Sequence, residues 1–143
     1  MSEIYIVGFD GTPQSQRAVD YAGQLAKRAD AEVHLVFVLE WSPFSFHTPE
    51  ELAERHKRRE EELERARAMV SPVMEKLKSN GVTADCLVRH GNVAELLCSI
   101  ANEKKAAQII IGRTGDSTLT QRLLGGLVVN LAQLSPVPLT IVP

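Results

Sequence analysis

The feature that most constrains the fold is an alternation of two kinds of segment along the chain. Short apolar runs, rich in β-branched residues, alternate with longer segments of helical period. The runs are Ile4–Gly8, Val33–Leu39, Val82–Val88, Ile109–Ile111 and Val137–Val142. A near-continuous apolar run of this length predicts a strand that is covered on both faces, whereas Val82–Val88 is the weakest of the five and is predicted to be half-buried. Because strands and helices alternate, we predict a parallel sheet with helices on both of its faces.

The segments between the runs carry local signals of helix ends. Thr12 and Asn92 are predicted to cap the first and third helices, and Thr48 with Glu51 fits a capping box at the start of the long second helix. Pro72 lies inside that second segment, so it predicts a kink or a division into two helices. A last helix is expected from about Gly126 to Leu134.

The apolar spacing also predicts which helix residues face the sheet. In the long segment, the predicted buried stripe consists of Leu63, Ala66, Val70, Val73 and Leu77. After the third run, the residues predicted to face the sheet are Val93, Leu96 and Ile100, with Leu97 as a further candidate. The sequence of this shorter segment therefore does not fully decide which of its residues are buried.

Length and charge narrow the class of protein. The chain has 143 residues, so we expect residues 1–143 to form a single domain. Its net charge is −2, from 16 basic and 18 acidic residues, which does not favour binding to nucleic acid or to an anionic membrane. We find no apolar run long enough to span a bilayer and no signal peptide, and we expect a cytoplasmic protein.

Asp10 directly follows the first predicted strand. Ligands of open α/β sheets bind at the carboxyl ends of the strands, where the strand order reverses. An aspartate there can accept hydrogen bonds from a ligand hydroxyl or hold a hydrated divalent cation such as Mg²⁺. It can equally form an Asx-turn that only orders the loop, and the sequence leaves both interpretations open.

Glycines surround the ends of the fourth strand and the start of the last helix. Gly112 and Gly115 follow the strand, and Gly125 and Gly126 precede the helix. Glycine lets the backbone approach a phosphate closely, and a helix N-terminus supplies free N–H groups. Arg113 and Thr114 add a charge and a hydroxyl donor, although turns alone would also explain these glycines.

The spacing Gly112-x2-Gly115-x9-Gly125 matches a known signature and resembles the universal stress protein (UspA-like) family. The resemblance covers essentially the whole chain. The segment Ile4–Asp10 is similar to the family's first strand and its aspartate, and Leu124–Leu127 is similar to its Leu-Gly-Ser-Val. Pro136–Val142 is similar to its closing strand.

The resemblance implies an adenine nucleotide alpha-hydrolase-like fold, a single doubly wound five-stranded parallel sheet of order 3-2-1-4-5. It also implies a homodimer that pairs the last strand across a two-fold axis. The residues expected at that dimer interface are Val137, Leu139 and Ile141.

The nucleotide-binding branch of the family implies a site for ATP, or for ADP or AMP, with Mg²⁺ as a further ligand. Phe9 and Asp10 are expected beside the adenosine portion, and the backbone of Val38 beside the adenine. The ribose and phosphates are expected to lie among Gly112, Arg113, Thr114, Gly115, Gly125, Gly126, Leu127 and Val128.

Gly126 departs from the family signature, which has serine or threonine at that position. The missing hydroxyl removes a hydrogen bond to phosphate, worth about 1.5–3 kcal/mol when one partner is charged. ATP affinity is therefore expected to fall by roughly one to two decades. The backbone N–H of Gly126 is retained.

Three functions follow from these features. The first is a stress-response regulatory module that binds ATP or a related adenine nucleotide without turnover and signals to a partner protein. The second is a slow ATPase or phosphotransfer enzyme in which Asp10 positions a cation. The third is a ligand-free dimeric interaction protein, which would act through its dimer surface and the charged segment Glu50–Arg67. That segment, with seven acidic and six basic residues, fits either a docking arm or a solvated helix face.

Overall fold

The computed structural model describes residues 2–39, 48–113 and 126–143. Within these ranges the strands are β1 (Ile4–Gly8), β2 (Glu32–Leu39), β3 (Thr83–His90), β4 (Gln108–Gly112) and β5 (Leu139–Val142). The helices are α1 (Pro13–Ala29), α2 (Pro49–Ser79), α3 (Val93–Glu103) and α4 (Leu127–Leu134).

The strands form one parallel sheet in the order β3-β2-β1-β4-β5. The chain moves outward from β1 through β2 to β3, and then returns to β4 and β5 on the other side of β1. The predicted doubly wound sheet of order 3-2-1-4-5 is thus confirmed. The order reverses between β1 and β4, which is where such sheets bind ligands.

Helices cover both faces of the sheet, and alternate strand residues supply the two cores. Val7 and Leu35 point to the face covered by α1 and α2, whereas Ile6 and Val36 point to the face covered by α3 and α4. All four side chains are at most 1% exposed. Burial on both faces explains why β1, β2 and β4 are mostly apolar, whereas the edge strand β3 carries exposed polar residues.

The three predicted N-caps are confirmed. The Thr12 hydroxyl accepts a hydrogen bond from the Ser15 N–H at 3.2 Å, and Asn92 Oδ1 accepts one from the Glu95 N–H at 3.1 Å. Thr48 and Glu51 form the reciprocal capping box. Caps depend on residues three apart in sequence, so the local pattern was sufficient to locate them.

Helix α2 is a single helix, so the predicted division at Pro72 is wrong. Pro72 is exposed, between the buried Val70 and the partly buried Val73. The proline removes one hydrogen bond within the helix, but packing on both sides of it keeps the chain helical. The predicted stripe is confirmed, since Ala66, Val70 and Leu77 are buried.

The N-terminal half of α2 carries its charges on exposed surface. An ion pair joins Glu54 to Arg58 at 3.1 Å, and His56 Nε2 lies 3.2 Å from Glu60 Oε1, each across one helical turn. The side chains of these pairs are well exposed, and such pairs contribute only about 0.3–0.5 kcal/mol each. The i,i+4 pairs expected of a solvated helix face are therefore present in this segment.

The structure corrects two predictions about packing and boundaries. In α3 the fully buried leucine is Leu97, while Leu96 is only partly buried. Strand β5 begins at Leu139, so Val137 lies before the strand. Pro138 precedes the strand because it has no N–H to donate, and its carbonyl accepts a hydrogen bond from the Ile109 N–H at 2.9 Å.

No helix in the described part of the chain combines the length and the apolar character that crossing a bilayer requires.

Candidate functional site

The candidate site lies at the carboxyl edge of the sheet, around the point where the strand order reverses. Asp10 follows β1, Val38 is the penultimate residue of β2, and Gly112 is the last residue of β4. Helix α4 connects the parallel strands β4 and β5, so its N-terminus lies toward the same edge. The topology therefore brings these four elements to one side of the molecule.

A network of short-range hydrogen bonds fixes the loop after β1. Asp10 Oδ1 accepts hydrogen bonds from the Thr12 backbone N–H at 3.0 Å and from the Thr12 hydroxyl. The Ser15 hydroxyl accepts one from the Asp10 N–H at 3.3 Å and donates one to the Thr12 carbonyl at 3.0 Å. This is the Asx-turn predicted as one of two roles for Asp10. Both bonds from Thr12 end on Oδ1, and the Asp10 residue is exposed, so its carboxylate remains accessible to a ligand.

The same network sets the charge state of Asp10. Partial burial by itself would raise the pKa of the carboxyl, but hydrogen bonds from Thr12, from Ser15 and from its own backbone outweigh that effect. The pKa of Asp10 is therefore lowered from its ordinary value of 3.8. Asp10 is an anion at neutral pH, which suits an acceptor of ligand hydroxyls or a partner of a cation.

Replacing Thr12 with valine is expected to raise the pKa of Asp10, because the hydroxyl that donates to Oδ1 is lost. The variant also loses its N-cap, which lowers the free energy of unfolding by about 1 kcal/mol. With a lowered pKa in the folded protein, Asp10 stabilises the fold above its unfolded-state pKa. That stabilisation is lost as the pH falls through the folded-state pKa. An NMR titration of the Asp10 carboxyl carbon measures the shift.

Thr12→Ser is the matched control for this titration, since serine keeps the hydroxyl. Its Asp10 carboxyl is expected to titrate as in the unmodified protein. If Thr12→Val titrated like Thr12→Ser, the hydroxyl would not be the cause of the lowered pKa.

Phe9 and Val38 present different groups to the site. The Phe9 ring is buried in the core on the α1 and α2 side, 6.2 Å between centroids from Phe37 in an edge-to-face arrangement. Leu39 directs its carbonyl toward β3, where it accepts a hydrogen bond from Gly91, so Val38 directs its main-chain groups the other way. The N–H and carbonyl groups of Val38 therefore point toward the β1 side of β2. They lie beyond Gly8 and Val36, which are the last paired residues of these two strands.

Gly112 has a packing role that the sequence did not reveal. A Cβ atom built at Gly112 would lie 2.3 Å from the carbonyl oxygen and 2.6 Å from the carbonyl carbon of Gln14. The first turn of α1 therefore presses directly on the end of β4. The backbone N–H of Arg113 is bonded to the Val142 carbonyl at 2.8 Å, and its side chain is exposed.

Gly126 is the N-cap residue of α4, and no side chain caps this helix. Leu127 and Val128 form the first turn, with side chains partly buried against the core on the α3 side. Their N–H groups belong to the helix end that attracts anions. The other predicted phosphate-site residues, Thr114, Gly115 and Gly125, lie outside the described residues.

Two residues at this edge were missed in the sequence. Ser15 completes the hydrogen-bond network around Asp10, and its position three residues after the Thr12 cap was a usable signal. Met69 of α2 reaches across to Gly11, where a Cβ would lie only 2.4 Å from its sulfur. No local pattern links residues so far apart in sequence.

The described residues contain no group of three or more His, Cys, Asp and Glu side chains arranged to hold a metal ion. Among them, Asp10 at this edge would supply a cation with a single carboxylate. One carboxylate is compatible with Mg²⁺, which usually keeps several waters and binds substrate phosphates. With a single carboxylate, most positions around such a cation would remain for water or for a ligand.

The predicted dimer residues lie along an edge of the sheet. Strand β5 is the last strand of the sheet order, so one side of it has no neighbour among the described residues. Ile141 is 42% exposed, whereas Val137 and Leu139 are partly buried against the core. An exposed apolar residue on an edge strand is a feature that strand pairing between copies would cover.

Comparisons with known proteins agree with this architecture. Residues 1–143 match the model of the Universal stress protein family. The chain is 28% identical to Universal stress protein YxiE of Bacillus subtilis (strain 168), over 96% of each chain. It also resembles the crystal structure of a universal stress protein in complex with cAMP, with 27% identity, a TM-score of 0.74, and coverage of 99% of this chain and 96% of that one. UspA from Lactobacillus plantarum shares the fold at a TM-score of 0.84 and 16% identity, over 99% and 97% of the two chains. The chain belongs to the universal stress protein family.

Proposed function

We propose that the protein is a regulatory module that binds ATP or a related adenine nucleotide, with Mg²⁺ carried by the nucleotide. In this proposal it acts in the cytoplasm as a homodimer and signals to a partner protein. Both cysteines, Cys86 and Cys98, are free thiols, as is usual for proteins of a reducing compartment.

The observation that carries the proposal is the set of unused polar groups at the point where the strand order reverses. Asp10 is held as an anion and is exposed, and Val38 directs main-chain groups past the end of the β1 ladder. The N-terminus of α4 has no side-chain cap. A nucleotide, with ribose hydroxyls, a base edge of hydrogen-bond donors and acceptors, and phosphates, would match these three kinds of group.

Similarity supports an adenine nucleotide in particular. One similar solved structure, at 27% identity, is a universal stress protein in complex with cAMP. The nucleotide is proposed to contact Phe9 through its main chain, Asp10, Val38, Gly112 and Arg113. The phosphates are proposed to lie by Thr114, Gly115, Gly125, Gly126, Leu127 and Val128.

The proposed homodimer pairs β5 with its copy. The edge position of the strand and the exposed Ile141 support this arrangement. Native mass spectrometry of the purified protein reports the oligomeric state and any retained nucleotide in one measurement.

Replacing Gly126 with serine is expected to tighten ATP binding by about tenfold or more. The new hydroxyl lies at the helix N-terminus and would donate to a phosphate, a charged hydrogen bond worth about 1.5–3 kcal/mol. Gly126 has φ −47° and ψ −164°, just outside the β region, so serine there requires a small adjustment of the backbone. Isothermal titration with ATP and Mg²⁺, at one fixed salt concentration, measures the change.

Adenosine and a second variant provide the controls. Adenosine has no phosphate, so Gly126→Ser should leave its affinity almost unchanged. Asp10→Asn should weaken both ligands by about tenfold, because it removes the charge that strengthens the hydrogen bonds. Asp30→Asn, at the opposite end of α1, should weaken neither. The nucleotide site would be refuted if neither the unmodified protein nor Gly126→Ser bound millimolar ATP. Consumption of ATP during the titration would instead indicate an enzyme.

A ligand-free interaction protein is the second candidate, and two observations favour it. The packing of Gly112 against Gln14 explains this glycine without a ligand. Gly126, the N-cap of α4, also has no hydroxyl that could bind a phosphate. Under this alternative the titrations show no binding, while the dimer persists.

A further inference from the structure

Met69 lies against the loop that carries Asp10. A Cβ atom at Gly11 would lie 2.4 Å from Met69 Sδ and 3.4 Å from its Cε. The thioether end of the side chain therefore packs on the backbone of Gly11. Gly11 has φ +83°, a conformation that glycine adopts readily and other residues adopt rarely. The contact sits between Asp10 and Thr12, which are joined by the hydrogen bonds that fix the loop.

Met69 is also open to solvent. It is 46% exposed, although it follows directly before the fully buried Val70 in α2. Met74, the other methionine in the described part of the chain, is partly buried against the core on the α1 and α2 side. The two methionines of α2 thus differ in access to solvent, and only Met69 touches the loop after β1.

We infer that Met69 is an oxidation site that controls the loop carrying Asp10. A lone pair of the Met69 sulfur attacks one oxygen of hydrogen peroxide, and the O–O bond breaks. The sulfur gains that oxygen and becomes a sulfoxide, while the other oxygen leaves as water after proton transfer. Sulfur is oxidised by two electrons and peroxide is reduced by two.

Oxidation changes the contact with Gly11 in two ways. The sulfoxide is bulkier than the thioether, because it carries an added oxygen on the sulfur. The close packing of the sulfur on Gly11 leaves no room for that oxygen between the sulfur and the loop. It is also polar, so it is more stable in water than against the glycine backbone. The side chain therefore leaves the loop, and the segment from Asp10 to Thr12 loses its apolar cover.

The consequence is a looser loop in the oxidised protein. Opening of the loop exposes the Thr12 N–H, which in the reduced protein is bonded to Asp10 Oδ1. If the proposed nucleotide site is correct, the same change also weakens adenine nucleotide binding, because Asp10 is less well positioned. The effect on the loop does not depend on the nucleotide.

The test uses the Met74→Leu protein, in which Met69 is the methionine of α2 that can oxidise, and the double variant Met69→Leu/Met74→Leu as its matched control. Met1 is common to both. These two variants and the unmodified protein are treated with hydrogen peroxide, and sulfoxides are located by peptide mass spectrometry. Hydrogen exchange at the Thr12 amide is followed by NMR without nucleotide. Each is then treated with the two methionine sulfoxide reductases, which restore the thioether.

The expected result is oxidation of Met69 before Met74 in the unmodified protein, and faster Thr12 exchange only where Met69 is oxidised. The increase should be roughly fivefold, which corresponds to an opening made easier by about 1 kcal/mol, and the reductases should reverse it. Equal exchange in the oxidised Met74→Leu protein and its control would overturn the inference, as would slower oxidation of Met69 than of Met74. ATP titration of the same samples tests the nucleotide consequence separately: unchanged exchange refutes the switch, whereas absent binding refutes the site.

Discussion

Replacing Leu97 with alanine is expected to lower the free energy of unfolding by about 3 kcal/mol. Leu97 is 0% exposed and lies in the core between α3 and the sheet. One of its methyl groups lies 3.4 Å from the position a Cβ would occupy on Gly8, so it fills the space that this glycine leaves on β1. No side chain at Gly8 can move in to replace it. The variant should therefore keep a cavity against the sheet.

Leu96→Ala is the matched control, because it removes the same atoms from a neighbouring, partly exposed position. Its cost should be about 1 kcal/mol, since less apolar area is withdrawn from water at that site. Guanidinium denaturation at one protein concentration measures both losses. An unchanged dependence of the unfolding free energy on denaturant concentration would show that the variants unfold to the same state as the unmodified protein. An equal loss of unfolding free energy in the two variants would contradict the finding that Leu97 is buried more deeply than Leu96.

The comparison of these two leucines shows where the sequence was insufficient. Helix α3 has apolar residues on several sides, including Ala94, Leu96, Leu97 and Cys98. Spacing alone fits more than one buried face, so it ranked Leu96 before Leu97. Which leucine is buried depends on which side chains contact β1 and β4. These contacts join segments far apart in sequence, so local spacing does not reveal them.

Features that depend on neighbours in sequence were predictable. The caps at Thr12, Thr48 and Asn92 form within one turn of each helix, and the strands were visible as apolar runs because both faces of the sheet are covered. Pro72 is the exception among the local signals. Its rule predicted a kink or a division, but burial of the residues around it holds α2 together as one helix.

The candidate site was predictable in position but not in its internal contacts. Asp10 and Gly112 were expected at the carboxyl edge of the sheet, and the parallel topology places them there. The contacts of Gly112 with Gln14 and of Gly11 with Met69 join segments far apart in sequence, so they appear only in the folded chain. Each contact explains by close packing why a glycine is present, at a position where the sequence suggested only a loop or a phosphate site.

Replacing Gly112 with alanine is expected to lower the free energy of unfolding by about 2–3 kcal/mol. The added methyl group would lie 2.3 Å from the Gln14 carbonyl oxygen and 3.1 Å from the Ser15 nitrogen. These are backbone atoms in the first turn of α1, so they cannot rotate away as the end of a flexible side chain can. Either α1 or β4 must shift, and both carry groups of the candidate site. Guanidinium denaturation measures the loss.

Gly81→Ala separates this collision from ordinary glycine strain. Gly81 has φ +84° and nothing within 4 Å of an added Cβ, so alanine there should cost about 1 kcal/mol through backbone conformation alone. Gly112 is not among the described glycines with positive φ, so its cost should arise from the contact. A loss at Gly112 no larger than at Gly81 would contradict the close approach of α1. A larger loss in the ligand-free protein would mean that the first glycine of the Gly112-x2-Gly115-x9-Gly125 pattern is required by the fold. Its presence would then be weak support for a nucleotide, and the case for binding would rest on Asp10, Val38 and the N-terminus of α4.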